Sequence, residues 1–93
     1  MGLGDTPILR VLDFFMIYEE FDYSMTDIAK HAGIGYSTLK LFWSHLEKSN
    51  IVENTRIIGK AKMYALNQEN SIVKFFKNFY WQDSKVKINQ IIN

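Results

Sequence analysis

The sequence predicts a small α+β domain: a core of three helices, a β-hairpin and a C-terminal helix. Three observations predict it. Apolar residues recur at helical spacing in three successive stretches before residue 50. The period then drops from 3.6 to 2 over residues 51–58 and again over Met63-Tyr64-Ala65-Leu66, with Gly59-Lys60-Ala61-Lys62 read as the turn between them. Beyond residue 70 a heavy apolar stripe returns at helical spacing, carried by Ile72, Phe75, Phe76, Phe79 and Tyr80.

Each element has a local chemical reason. Thr6 is placed to cap the first helix, and Pro7 suits its first position, where an N–H would be unpaired in any case. Ile8, Leu12, Phe15 and Met16 form its inner face, and the pattern runs to Glu20 or Phe21. Residues 21–24 read as an extended link or a short edge strand. A second helix follows, with Thr26 as the expected cap and Asp27 near the positive end of the helix dipole. Ile28, Ala29 and Ala32 face inward, and Gly33 stops the helix because it adopts the left-handed conformation without steric cost.

The third helix spans residues 36–49. At about 100° per residue, Leu39, Phe42, Trp43 and Leu46 share one arc, and Ser37, Lys40, Leu41, Ser44 and Lys48 share the opposite one. The inner face is therefore large and aromatic, and the outer face is short, polar and basic apart from Leu41. Asn50 follows as a left-handed stop. Ser71 is the expected cap of the fourth helix, with Lys74 and Lys77 opposite its apolar stripe. Residues 84–93 either extend that helix or form a short fifth.

Ninety-three residues allow one domain, divided here into residues 6–66 and a C-terminal helical segment, 71–93. A composition 47% hydrophobic and 23% charged excludes a largely disordered chain. No apolar run approaches the roughly 18 residues of a membrane helix, so no membrane partner is expected. The start, Met1-Gly2-Leu3-Gly4-Asp5, lacks the basic residues of a secretion signal, and a cytoplasmic location is the expectation. Without cysteine there are no disulfides, zinc-thiolate sites or thiol chemistry. His31 and His45, the two histidines, have no partners at metal-ligand spacing, and His31 sits where a helix C-terminus favours a cation. No glycine-rich phosphate loop, Ser-His-Asp set or carboxylate pair appears. The expectation is a protein that is not an enzyme and has no metal or cofactor.

The net charge is only +1, but its distribution is uneven. Residues 1–35 set Asp5, Asp13, Glu19, Glu20, Asp22 and Asp27 against Arg10 and Lys30. Residues 36–66 set Lys40, Lys48, Arg56, Lys60 and Lys62 against Glu47 and Glu53. An acidic front precedes a basic third helix and hairpin, and this asymmetry is a more useful electrostatic signal than the net charge.

The order helix, helix, Gly-turn, helix, basic hairpin, helix resembles the winged helix-turn-helix domain of prokaryotic transcription regulators. Residues 26–39, Thr-Asp-Ile-Ala-Lys-His-Ala-Gly-Ile-Gly-Tyr-Ser-Thr-Leu, are similar to that family's helix-turn-helix core. Leu46-Glu47-Lys48-Ser49-Asn50-Ile51-Val52 is similar to its helix stop and strand entry, and residues 56–67 to the wing of archaeal members related to the MarR and ArsR groups. The resemblance covers about residues 6–80 and implies binding of double-stranded DNA and regulation of transcription. Three positions depart from the family's pattern: Gly35 replaces a common capping serine, Asn50 a common glycine, and Leu41 stands where an arginine often contacts DNA.

On this reading the candidate DNA-binding residues are Tyr36, Ser37, Thr38, Lys40, Ser44, His45, Arg56, Lys60 and Lys62. A helix fits the major groove, and short hydroxyls permit close approach to phosphates and base edges. Cations at a hairpin tip suit a phosphate backbone or a minor groove. Thr38 either reaches a phosphate or bonds back within its helix, and Leu41 either touches a thymine methyl or belongs to a protein contact. Trp43 and Tyr64 are expected in the core. The apolar surplus after the wing implies a homodimer. Ile72, Phe76 and Phe79 are expected to pack on the first helix, Phe75, Ile88, Ile91 and Ile92 are the interface candidates, and Phe79 is counted with the interface as well. The alternative is a winged helix used for protein contact in a transcription or replication assembly.

Overall fold

The computed structural model describes residues 6–92, with side chains described as far as Trp81. Four helices and a three-stranded antiparallel sheet follow in the order α1 (Pro7–Ile17), β1 (Tyr23–Ser24), α2 (Met25–Ala32), α3 (Tyr36–Lys48), β2 (Val52–Ile58), β3 (Ala61–Leu66) and α4 (Ser71–Ile92). The sheet order is β1-β3-β2, so the return strand of the hairpin lies in the middle.

The helix ends show which local signals act. Thr6 caps α1 through its side chain, accepting from the Leu9 N–H, with Pro7 at the first position. The helix stops at Ile17, earlier than the expected Glu20 or Phe21. Met16 is its last buried residue, whereas Ile17, Tyr18 and Phe21 are exposed, so further turns would have nothing to pack on. The chain instead extends, and Tyr23 and Ser24 pair with Tyr64 and Met63. That pairing moves the start of α2 forward. Ser24, not Thr26, is its cap, accepting from the Asp27 N–H at 3.2 Å. Gly33 ends α2 at φ 73°, and its carbonyl accepts from the Arg10 guanidinium at 3.2 Å. Asn50 takes the left-handed conformation at φ 57° after α3.

The hairpin turns over two residues, Gly59 and Lys60, with Gly59 at φ 61°. Ala61 and Lys62, expected in the turn, already pair with Ile58 and Ile57 as the first residues of β3. A bulge between Asn54 and Arg56 leaves Thr55 unpaired in the ladder and twists the hairpin. The Asn54 amide spans this bulge, donating to the carbonyls of Arg56 and Met63.

The core gathers Val11, Phe14, Phe15 and Met16 of α1, Ile28 and Ala29 of α2, Leu39, Trp43 and Leu46 of α3, and Val52, Tyr64 and Leu66 of the hairpin. Trp43 meets Tyr64 edge to face at 5.0 Å, as expected of two core aromatics. α4 corrects the packing expected of its stripe. Val73 and Tyr80 are buried and Phe76 is half-buried, whereas Ile72, Phe75 and Phe79 are 47%, 68% and 60% exposed. The helix is rotated from the expected Ile72–Phe76–Phe79 face because polar groups fix its start. Asn70, not Ser71, is the cap: its Oδ1 accepts from the Ile72 and Val73 N–H groups, while its amide donates to the carbonyls of Ser49 and Asn50. Farther along, Lys77 pairs with Glu19 at 3.1 Å and Tyr80 hydrogen-bonds Asp13. Burial and the nearby Asp13 push the Tyr80 phenol above its ordinary range.

Candidate nucleic-acid interface

The candidate surface is formed by α3, the wing and the start of α2. On α3 the buried arc is Leu39, Trp43 and Leu46, with Phe42 half-buried. Ser37, Lys40, Leu41, Ser44, His45 and Lys48 are exposed, so the amphipathic division read from the sequence is the one the helix adopts. Thr38 is half-buried on the boundary between the faces. Gly35 occupies the cap position and supplies no side-chain bond to the helix end.

Tyr36 and Lys40 are one turn apart, and the Lys40 Nζ lies 5.7 Å from the centre of the Tyr36 ring. This contact holds the ammonium beside the ring at the N-terminal end of the face. Tyr36 also borders an open groove of about 330 Å³. Lys60 and Lys62 of the wing line its other side, with Ser24 and Thr26 at the start of α2 and Tyr64 between. Two wing lysines, an α3 tyrosine and the positive end of the α2 dipole thus border one concavity.

Ser24 and Thr26 are not among the DNA-contact candidates; the sequence marks Thr26 only as a helix cap, and nothing local places either residue at a groove. They reach the groove because β1 pairs with β3, which carries the first turn of α2 to the base of the wing.

Arg56 stands differently from the two lysines. Its guanidinium donates from Nε and Nη2 to the two oxygens of Asp22, at 2.8 and 3.0 Å. Asp22 also accepts from the Thr55 hydroxyl. These hydrogen bonds hold the Asp22 carboxyl down at about 2. From the sequence Arg56 is expected to act with Lys60 and Lys62 as a cation of the wing; in the fold its guanidinium is paired with Asp22 at the wing's base.

His31 turns back on its own helix and onto α1. Its Nδ1 lies 2.9 Å from the Asp27 carbonyl, and its ring packs 5.6 Å from that of Phe14. Among the described residues no group of three His, Cys, Asp or Glu side chains is placed to hold a metal ion. Nor is any described helix long and apolar enough to cross a membrane. Of the expected interface residues, Phe75 and Phe79 are exposed and share one side of α4 with Ile72; Ile88, Ile91 and Ile92 lie outside the described side chains.

No protein-family model and no curated protein matches the chain. Solved structures match its backbone. MepR, a transcription regulator of the Staphylococcus aureus multidrug efflux pump MepA, superposes with a TM-score of 0.63 at 16% identity, over 86% of this chain and 60% of that one. The homodimeric winged helix-turn-helix DNA-binding domain of a possible ArsR-family regulator from Mycobacterium bovis gives 0.62 at 17% identity, over 95% and 76%. Lactococcus lactis ZitR in complex with DNA gives 0.62 at 11% identity, over 98% and 67%. The chain thus spans three-fifths of MepR and about two-thirds of ZitR. What is shared is the arrangement of helices, sheet and hairpin, and by that arrangement the chain is a winged helix-turn-helix domain.

Proposed function

We propose that this chain binds double-stranded DNA as a homodimeric transcription regulator, with α3 in the major groove and the wing on the phosphate backbone. One observation carries the reading: Tyr36, at the N-terminal end of α3 and in contact with Lys40, borders a common groove with the wing lysines Lys60 and Lys62. A polyanion lying across that side meets Lys40, Lys60 and Lys62 together, while hydroxyls of Ser37 and Ser44 allow the helix axis to approach base edges. Tyr36, Thr38 and His45 of the same helix serve as backbone contacts. Arg56 serves here by holding the wing against Asp22 and contributes little net charge.

The dimer half of the reading rests on the exposed side of α4. Ile72, Phe75 and Phe79 lie at i, i+3 and i+7, an apolar stripe of the kind that marks an interface. A twofold pair would present two α3 helices to two half-sites. The similarity to a homodimeric DNA-binding domain from Mycobacterium bovis supports this arrangement.

The test is equilibrium binding of the full chain to a mixed-sequence duplex across a range of salt. The proposal expects binding that weakens linearly in log–log form as salt rises, with a slope of about 0.9 for each phosphate contacted. Absence of binding at the lowest salt would overturn it.

A further inference from the structure

We infer that Leu41 reads the 5-methyl group of thymine, so that this chain prefers thymine at one or two positions beneath α3. The inference rests on the DNA-binding reading above and names what that surface selects.

Leu41 is 80% exposed, the highest value among the exposed large apolar side chains of the described residues. It is not on the rim of the exposed face. Ser37 lies one turn before it, Ser44 one turn after it, Lys40 beside it and Lys48 two turns on, all exposed. Glu47 is also exposed, but lies on the flank beyond Lys40. The leucine side chain outreaches the two serine hydroxyls around it. It therefore comes nearer than either serine to the floor of a groove that this face enters.

The neighbours decide what kind of partner fits. An apolar residue that docks a protein partner belongs to a contiguous apolar patch. Around Leu41 the exposed side chains are hydroxyls, ammonium groups and the His45 imidazole, which suit a polyanion. In the major groove every base edge offers a donor or an acceptor, and thymine alone among the four bases adds a methyl group. A leucine set against donors and acceptors would strip them of water with nothing in return. Set against a methyl, it buries apolar surface on both sides.

The experiment uses the full chain. Preferred duplexes are selected from a randomised pool, and each thymine is replaced in turn by uracil, which lacks only the methyl. Binding is measured for the parent and for Leu41→Ala, whose fold is checked by circular dichroism; the site's exposure leaves it intact. At one or two thymines the replacement should weaken the parent about four-fold, the factor carried by one buried methyl, and should leave Leu41→Ala unchanged. If uracil costs both proteins equally, or neither, the inference is overturned and Leu41 is left to a protein contact. A chain that binds no duplex at any salt overturns the DNA-binding reading itself, and this inference with it.

Discussion

The Arg56 guanidinium embraces the Asp22 carboxylate across the central strand, Nε to Oδ2 at 2.8 Å and Nη2 to Oδ1 at 3.0 Å. Asp22 precedes β1 at one edge of the sheet, and Arg56 lies on β2 at the other. The pair therefore clamps the wing's outer strand to the segment that follows α1. Thr55, unpaired in the ladder by the bulge, turns its hydroxyl onto the same carboxylate and onto the Met63 carbonyl. The bulge thus gives the wing a polar anchor at its base and leaves its tip to Lys60.

This clamp has a pH signature. Asp22 is held at about 2, below its ordinary 3.8, so its folded form favours the ionised carboxylate. The resulting stabilisation is present above pH 3.8 and is lost as pH falls from there through about 2. Acid unfolding followed by tryptophan fluorescence should show the parent losing stability over that window, and Asp22→Asn losing less there. Parallel acid curves for the two proteins would remove the clamp from the acid transition.

The wing's cations should separate by function. Lys60→Ala with Lys62→Ala should reduce the log–log salt slope of duplex binding by about 2, since each lost phosphate contact contributes about 0.9. The loss should be alike for all sequences, because phosphate contacts carry no sequence information. Arg56→Ala should change the slope far less, its charge being already paired with Asp22. A slope unaltered in the double variant would take the wing tip off the backbone.

The two faces of α3 should respond in opposite ways. Trp43, 3% exposed against Tyr64, should cost about 3–5 kcal/mol of unfolding free energy when changed to alanine, through the cavity left behind. Lys40→Ala should stay within about 0.5 kcal/mol of the parent in urea unfolding and lose duplex affinity instead. Equal stability of Trp43→Ala and the parent would invert the face assignment.

Asn70 joins the end of α3 to the start of α4, and its removal should be felt at both. Asn70→Ala gives up the cap, a loss of about 0.5–2 kcal/mol. It also leaves the Ser49 and Asn50 carbonyls without this donor. Urea unfolding should show the loss, and Asn70→Asp, which keeps the capping oxygen but not the amide, should recover only part of it.

For the exposed side of α4, Phe75→Glu and Phe79→Glu together should convert a dimer into a monomer in sedimentation equilibrium at tens of micromolar, on the order of the concentrations such weak assemblies require. The monomer should remain folded, because both side chains lie outside the core. A parent protein that sediments as a monomer under the same conditions would end the dimer reading.

Much of this domain was legible residue by residue. Thr6 and Pro7 open α1, Gly33 closes α2, Asn50 closes α3, and the 3.6-residue spacing separates Leu39, Trp43 and Leu46 from Ser37, Lys40 and Ser44. These are local matters: a missing N–H, a positive φ, a helical period. They are settled within a few residues of chain, and the sequence alone determines them. The α4 face was not legible in the same way, because large apolar residues occupy both arcs of that helix. Periodicity says which residues share a side, not which side meets the core when either would serve. That choice fell to Asn70, Lys77 and Tyr80, whose polar partners Ser49, Glu19 and Asp13 lie far away in the chain. The neutralisation of Arg56 by Asp22 and the joining of Lys60, Lys62, Tyr36 and Thr26 around one groove are of the same kind. Both follow from β1 pairing with β3, a contact between residues some forty positions apart, and only the tertiary structure brings such residues within reach of one another.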